Sequence, residues 1–441
     1  ELDFAFGYEQ PLMVRLLGEG LDIIKAQTAQ RRDAEIKLAD RVAGMANYKK
    51  NLEGQQASYA GSDILARKQA DFAALKAWVE KDAARRTQFG PALAETERLV
   101  AEQQALQREE GPLGLGRPAL LGVARSLYEW AVQRAKPDAE RKAGFQQRDL
   151  PRLRQRLEAF ERRYDAATDQ ALGVHFLRQY LAQPAAQIRQ PLLDALGLRA
   201  GMDEAALKAR LDALAEGSRL AQKDARLAAL NLQATAFADS GDSFLAAAAA
   251  LYADDQRREE RAKALAADLQ KAYAATMQAL IAYRASLGQA TYPDANNTLR
   301  ISFGKVQGRP GPDGSQWDAF TTLRGIVAKH TGSGEFDAPK AQLDAIAARR
   351  FGRYADAKLD SVPVNFLATL DTTGGNSGSP VLNGRGELVG LLFDGTLDSV
   401  IANWDFNASK VRSICLDARY MQWQMGEVDK AQRLLTEMGV R

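Results

Sequence analysis

The segment Gly374-Gly375-Asn376-Ser377-Gly378-Ser379-Pro380 sets a serine among glycines, directly before a candidate strand. A serine hydroxyl is a weak nucleophile until a base takes its proton and N–H donors await the oxyanion. A reactive serine therefore needs a tight turn with free backbone N–H groups. The glycines around Ser377 permit such a turn, and the N–H groups of Gly375 and Ser377 are the candidate oxyanion donors. One such donor is typically worth about 10² to 10³ in rate. The competing reading is a Gly/Ser-rich surface loop. The strand pair that follows, Pro380 to Phe393, weighs against a plain loop and would shape a specificity pocket.

A base is harder to find. Of the two histidines, His175 in Leu172-Gly173-Val174-His175-Phe176 reads as a packed or partly exposed helix residue, and His330 lies just before a turn at Gly332. Neither has the surroundings expected of a triad histidine, so neither is assigned that role. The single Cys415, among Val411, Ile414 and Leu416, reads as a small core residue and allows no internal disulfide. Two distant histidines and one cysteine make no metal-ligand set, and no glycine loop with a phosphate-binding lysine sits between a strand and a helix. No cofactor is implied.

Two kinds of sequence must position the serine. From Pro11 to Leu287 the chain is rich in Ala, Leu, Arg, Gln and Glu, the residues that lose least entropy in helices. Met13, Leu16, Leu17, Leu21 and Ile24 fall on one helical face, as do Leu153, Leu157, Phe160 and Tyr164. Breaks at Gly111-Pro112, Lys136-Pro137-Asp138 and Gly201-Met202-Asp203 separate several helices. After Tyr292-Pro293-Asp294 the pattern turns to strands. Leu299, Ile301 and Phe303 alternate with polar residues, Val362 to Leu367 is a further strand, and Pro380 to Leu382 and Leu388 to Phe393 flank the turn Asn383-Gly384-Arg385-Gly386. Met421, Met425, Val428, Ala431 and Leu435 predict one terminal helix within Asp417 to Met438. The expected division is a helical domain over 1–292 and a β-rich domain over 293–441.

With 441 residues, 46% hydrophobic and 26% charged, the chain is long enough for two or three domains with cores of their own. Its 59 Lys plus Arg nearly balance 56 Asp plus Glu, which gives no case for nucleic-acid binding. No apolar run approaches the roughly 18 residues of a membrane span. The cluster Arg152, Arg154, Arg156, Arg162 and Arg163 is interleaved with Glu158 and Glu161, follows no single helical face, and reads as a solvated helix. The N-terminus, which lacks Met, suggests a processed or truncated chain.

Several stretches together resemble the bacterial dipeptidyl aminopeptidases of serine peptidase family forty-six: Pro293 through Val306, Asp371 through Pro380, Gly390-Leu391-Leu392-Phe393-Asp394-Gly395, Asp417 through Met421, and Ala46-Asn47-Tyr48-Lys49-Lys50-Asn51. The resemblance implies an α+β architecture: a chymotrypsin-like double β-barrel with a large all-α domain inserted before the second barrel. This chain would then be the C-terminal two-thirds of the enzyme. The His and Asp of the triad would come from a first barrel on a preceding segment, and without it the isolated chain would be inactive or nearly so. The resemblance further implies that Asp394 and Asn51, with Asn47 as the nearby alternative, hold the free N-terminal amine of an oligopeptide, so that dipeptides are released. Without the resemblance, Asp394 reads as a turn residue. Gly395 stands where, in this family, glycine accompanies a preference for hydrophobic residues before the scissile bond and arginine a preference for acidic ones. A periplasmic location and a homodimer are also implied. The rivals are a chymotrypsin-like endopeptidase and a catalytically degenerate helical interaction protein.

Overall fold

The computed structural model describes residues 1–291 and 298–440. They form two compact units, one of Glu1–Glu53 with Leu65–Thr291 and the other of Gly54–Ile64 with Tyr292–Arg441. The boundary expected at Tyr292-Pro293-Asp294 lies outside the described residues. A single division there would leave Gly54–Ile64 in the helical part, yet this segment groups with the second unit, where Gly54 packs against Leu397 and Val400.

The described residues of the first unit contain helices and no strand. Helix α1 (Gln10–Thr28) buries Leu16, Leu17 and Ile24, while Met13 and Leu21 pack at the edge of the same cluster. That cluster takes Leu38, Met45 and Leu52 from α2 (Arg32–Ala60). Helices α3 (Ile64–Glu80) and α4 (Ala83–Glu110) share a second cluster through Leu75, Val79, Phe89 and Leu93. The largest core gathers Leu120, Leu121, Ala124 and Leu127 of α5 (Ala119–Arg134), Leu153 and Leu157 of α6 (Leu150–Ala159), and Leu177 and Tyr180 of α7 (Ala166–Leu181). Each such leucine contributes about 1.5–3 kcal/mol by leaving water, so the apolar stripe read from sequence is what holds the unit together. Caps end the elements where the sequence breaks. Asp203 accepts from the Ala206 N–H at 2.7 Å at the start of α8 (Glu204–Glu216), and Asp242 accepts from Phe244 and Leu245 N–H groups before α9 (Ser243–Ser286).

The second unit is built on an antiparallel sheet of five strands in the order β3-β4-β7-β6-β5, with a two-stranded ribbon, β1 (Arg309–Pro310) with β2 (Gln316–Trp317), apart from it. The five are β3 (Phe320–Thr322), β4 (Pro363–Ala368), β5 (Pro380–Leu382), β6 (Leu388–Gly395) and β7 (Ser413–Asp417). Cys415 is fully buried in β7 beside Phe366 and Leu392, and burial pushes its thiol up to about 11, as befits a core residue. Two short helices, α10 (Leu323–Lys329) and α11 (Lys340–Ala347), lie within the β-rich part.

Two expectations are corrected, the first strand after the boundary and the single terminal helix. Leu299, Ile301 and Phe303 form no strand: they are 92, 81 and 90% exposed, and the segment first meets the sheet at the bridge Val306↔Ala368. Alternation supplies two faces, but a strand also needs a hydrogen-bonding partner, and none of the described residues pairs with these three. The sheet is open, with β3 and β5 at its edges, so the described residues close no barrel. The single C-terminal helix becomes α12 (Ala418–Trp423), a wider turn to Val428, and α13 (Gln432–Glu437), because Lys430 adopts φ +55°. The residue that anchors this region is Trp423, fully buried and donating from Nε1 to the Arg350 carbonyl at 2.7 Å, rather than the methionine face.

Candidate active site

Ser377 sits in the turn between Thr373 and β5. Gly375 has φ +101° and Gly378 φ +89°, values that L side chains rarely adopt, so glycine is required at both. Asn376 closes the turn on itself: its Oδ1 accepts from the Thr373 N–H at 3.0 Å and its own N–H donates to the Thr373 carbonyl at 3.1 Å. The Ser379 N–H donates to the Asn376 carbonyl at 2.9 Å, and Thr373 Oγ1 donates to Asn403 Oδ1. The turn is fastened to β6 by Gly378 N–H to the Leu392 carbonyl, 2.7 Å, and Leu392 N–H to the Ser379 carbonyl, 3.0 Å.

Between the pairs Leu392↔Cys415 and Asp394↔Ile414, Phe393 is an extra residue in β6. The bulge re-aims its carbonyl. That carbonyl accepts from Ser377 Oγ at 3.3 Å, and the hydroxyl is solvent-exposed. Among the described residues, neither the Gly375 nor the Ser377 N–H has a protein acceptor. The arrangement is an exposed hydroxyl beside two unengaged N–H donors, which is what an acyl-transfer site requires apart from its base.

Asp394 follows the bulge. It is exposed, its Oδ1 accepts from the Gly395 N–H at 2.8 Å, and it makes no ion pair among the described residues. A carboxylate one residue from the carbonyl that holds the serine can receive an ammonium group. Gly395 has no free space beside it. A Cβ built there would come within 2.8 Å of Ser399 Cβ and touch Ser399 Oγ, so the space is already filled. Ser399 is held by its N–H to the Thr396 carbonyl at 2.7 Å, and Thr396 N–H donates to the Arg412 carbonyl at 2.9 Å. Next in this turn, Asp398 pairs with Arg309.

Asn51 and Asn47 lie one turn apart on α2, both exposed. His175, in α7, is engaged by Glu19 and by Gln179, both at 2.9 Å. His330 accepts at Nδ1 from the Ala338 N–H at 3.0 Å, and within the second unit it makes no hydrogen bond to Ser377 among the described residues. The bulge at Phe393 and the packing of Ser399 on Gly395 left no mark in the sequence beyond a break in the alternation of β6. No cluster of His, Cys, Asp and Glu suited to a metal occurs among the described residues, and no described helix is long and apolar enough to cross a membrane.

The chain is similar to known proteins along most of its length. The chain is 38% identical to the Asp/Glu-specific dipeptidyl-peptidase of Shewanella putrefaciens over 99% of its own length, and it spans 62% of that protein. It is 40% identical to dipeptidyl-peptidase 7 of Capnocytophaga gingivalis over 34% of this chain and 21% of that one. The fold is that of Porphyromonas endodontalis DPP11 crystallised with the dipeptide Arg-Glu, with a TM-score of 0.74 at 24% identity over 98% of this chain and 60% of that chain. The family model Peptidase S46 matches residues 1–440. The chain therefore belongs to the peptidase S46 family.

Proposed function

We propose that this chain serves a serine exopeptidase that releases dipeptides from the N-termini of oligopeptides, with Ser377 as nucleophile. The observation that carries the reading is the exposed Ser377 hydroxyl beside the unengaged N–H groups of Gly375 and Ser377. In the proposed reaction the base takes the Ser377 hydroxyl proton as Oγ attacks the carbonyl of the second peptide bond and the two N–H groups receive the oxyanion; the C–N bond then breaks, the remaining peptide leaves as an amine with that proton, and water hydrolyses the acyl-enzyme to release the dipeptide. Asp394 holds the substrate ammonium group, which fixes the cleavage register. Neither the base nor its carboxylate partner is assigned to a residue of this chain. They belong, in this reading, to the first barrel of a chymotrypsin-like pair. The assignment of Asn51 as a second amine ligand rests on the resemblance alone and is read by Asn51→Ala, with Asn47→Ala as the comparison.

Acetylating the amine of a dipeptidyl substrate tests the proposal. The expected result, measured on the complete enzyme, is loss of cleavage; undiminished cleavage of the blocked substrate points to an endopeptidase. The resemblance, through the glycine at position 395, supports a hydrophobic residue before the scissile bond. An acidic preference is the second reading, favoured by the name of the Shewanella putrefaciens relative. Asp398, in the turn that covers Gly395, already engages Arg309 of β1, which leaves an acidic side chain without that cation and favours the first reading. Paired substrates with Leu or Asp at the second position separate the two. Periplasmic location and a homodimer complete the proposal, and cell fractionation and light scattering test them.

A further inference from the structure

We propose that the helical unit carries a binding site for a small polyanion bearing several phosphate groups, in a cavity lined by Arg41, Arg152, Arg156, Arg162 and Arg163. The cavity has a volume of about 530 Å³, within the usual range of ligand sites. Arg152 and Arg156 are four apart on α6 and share a face. The helix ends at Ala159, and the tight turn Phe160–Arg162 brings Arg162 and Arg163 to the same cavity, which Arg41 of α2 lines from another segment. The interruption of α6 explains why these arginines follow no single helical face in the sequence and still converge.

The cavity's two carboxylates take their hydrogen bonds from outside the five arginines, and Arg41 acts on Asp169 only through its charge. Asp165 pairs with Arg31 and accepts from Thr168 N–H and Oγ1 at 2.9 and 2.7 Å. Asp169 accepts from the Ala119 N–H at 3.2 and 3.1 Å. Among the described residues, Arg163 is the only one of the five arginines with an ion pair, to exposed Asp40 at 3.3 Å. A second cavity in the same unit, of about 450 Å³, behaves oppositely. There Arg125 pairs with Asp255 at 2.5 Å, Arg189 with Asp254 at 2.5 Å, and Arg258 with Glu109 at 2.7 Å. Unmatched guanidinium groups therefore mark the first cavity rather than the unit as a whole.

Cations gathered in excess of their counter-charges repel one another and raise the local concentration of anions. Guanidinium forks bind phosphate or carboxylate oxygens two at a time. Phe160 and Tyr164, stacked at 4.9 Å, give one side an apolar wall that limits screening by water. Five guanidinium groups around so small a volume call for a higher charge density than a carboxylate ligand offers, and this points to linked phosphates.

The test is titration of the chain with inorganic tripolyphosphate at constant ionic strength, by calorimetry and by thermal shift, with citrate as the carboxylate comparison. Saturable binding with a raised Tm is expected, with citrate weaker and with affinity reduced at least about tenfold in R152A/R156A. Both arginines are exposed, so the unliganded Tm of the variant should match the parent. Arg162→Gln is the second variant, expected to weaken binding without touching α6. Absence of saturable binding, or equal affinity in both variants, overturns the site; citrate binding as tightly overturns its phosphate character.

Discussion

Asp394 is the side chain whose surroundings speak most directly about a ligand. It stands exposed beside the bulge that holds Ser377, with its own Gly395 N–H as partner and no cation among the described residues. An ammonium group entering there would gain a charge-assisted bond, so Asp394→Ala should lower kcat/KM for free-amine dipeptidyl substrates by about 2 kcal/mol or more. The loss should be confined to substrates with a free amine, and an unchanged kcat/KM removes Asp394 from the anchor. Ser377→Ala should abolish labelling by a serine-directed phosphonate while moving stability by less than about 0.5 kcal/mol, since the hydroxyl is exposed. The turn around Ser377 was legible because only glycine tolerates the φ values it uses, and glycine is visible in sequence. The contact of Ser399 with Gly395 was not legible, because a glycine tells nothing of what fills the space beside it.

Helices with a continuous apolar stripe were readable because a period of 3.6 leaves a signature that burial then enforces. Leu16, Leu17 and Ile24 lie buried where the spacing places them, and Asp203 caps α8 where the sequence breaks. Strands were less readable. The alternation of Leu299, Ile301 and Phe303 matches that of β4 in kind, but pairing is a non-local event that one strand's pattern does not encode. The turn Leu397–Ile401 after β6 governs a further prediction. Gly395→Arg must displace Ser399, and overpacking of this sort costs about 1–3 kcal/mol. The single variant should therefore lose activity on every substrate, whereas Gly395→Arg with Ser399→Gly should recover it with preference shifted toward acidic residues. Paired measurements of kcat/KM on Leu- and Asp-containing dipeptidyl substrates check this. If the double variant stays as inactive as the single one, Ser399 is not the obstacle.

Taken over the whole molecule, the buried and paired carboxylates set how stability follows pH. Burial alone would raise Asp165, but hydrogen bonds from Arg31 and Thr168 outweigh it and hold the carboxyl below its ordinary value. Burial is likewise outweighed at Glu19 by His175, Gln179 and Arg15, and at Asp254 by Arg189. Carboxyls depressed in the folded state stabilise it above their unfolded values, roughly pH 4, and that contribution is lost as the pH falls through the lower folded values. Asp169 has the opposite sign. Burial pushes it up to about 6 despite the Ala119 N–H and Arg41, so its ionised form is costly near neutrality and the cost is relieved as the pH falls through 6. Over that interval the gain is at most about 3 kcal/mol. Stability should accordingly rise on going from pH 8 to about pH 5 and fall steeply below about pH 4. Asp169→Asn should raise stability at pH 8 and flatten the upper limb while leaving the acid limb in place, because Asn keeps an acceptor for the Ala119 N–H without the buried charge. Denaturant melts of both proteins across this range measure the two limbs separately, and parallel profiles would show that Asp169 titrates no differently in the folded chain than in the unfolded one.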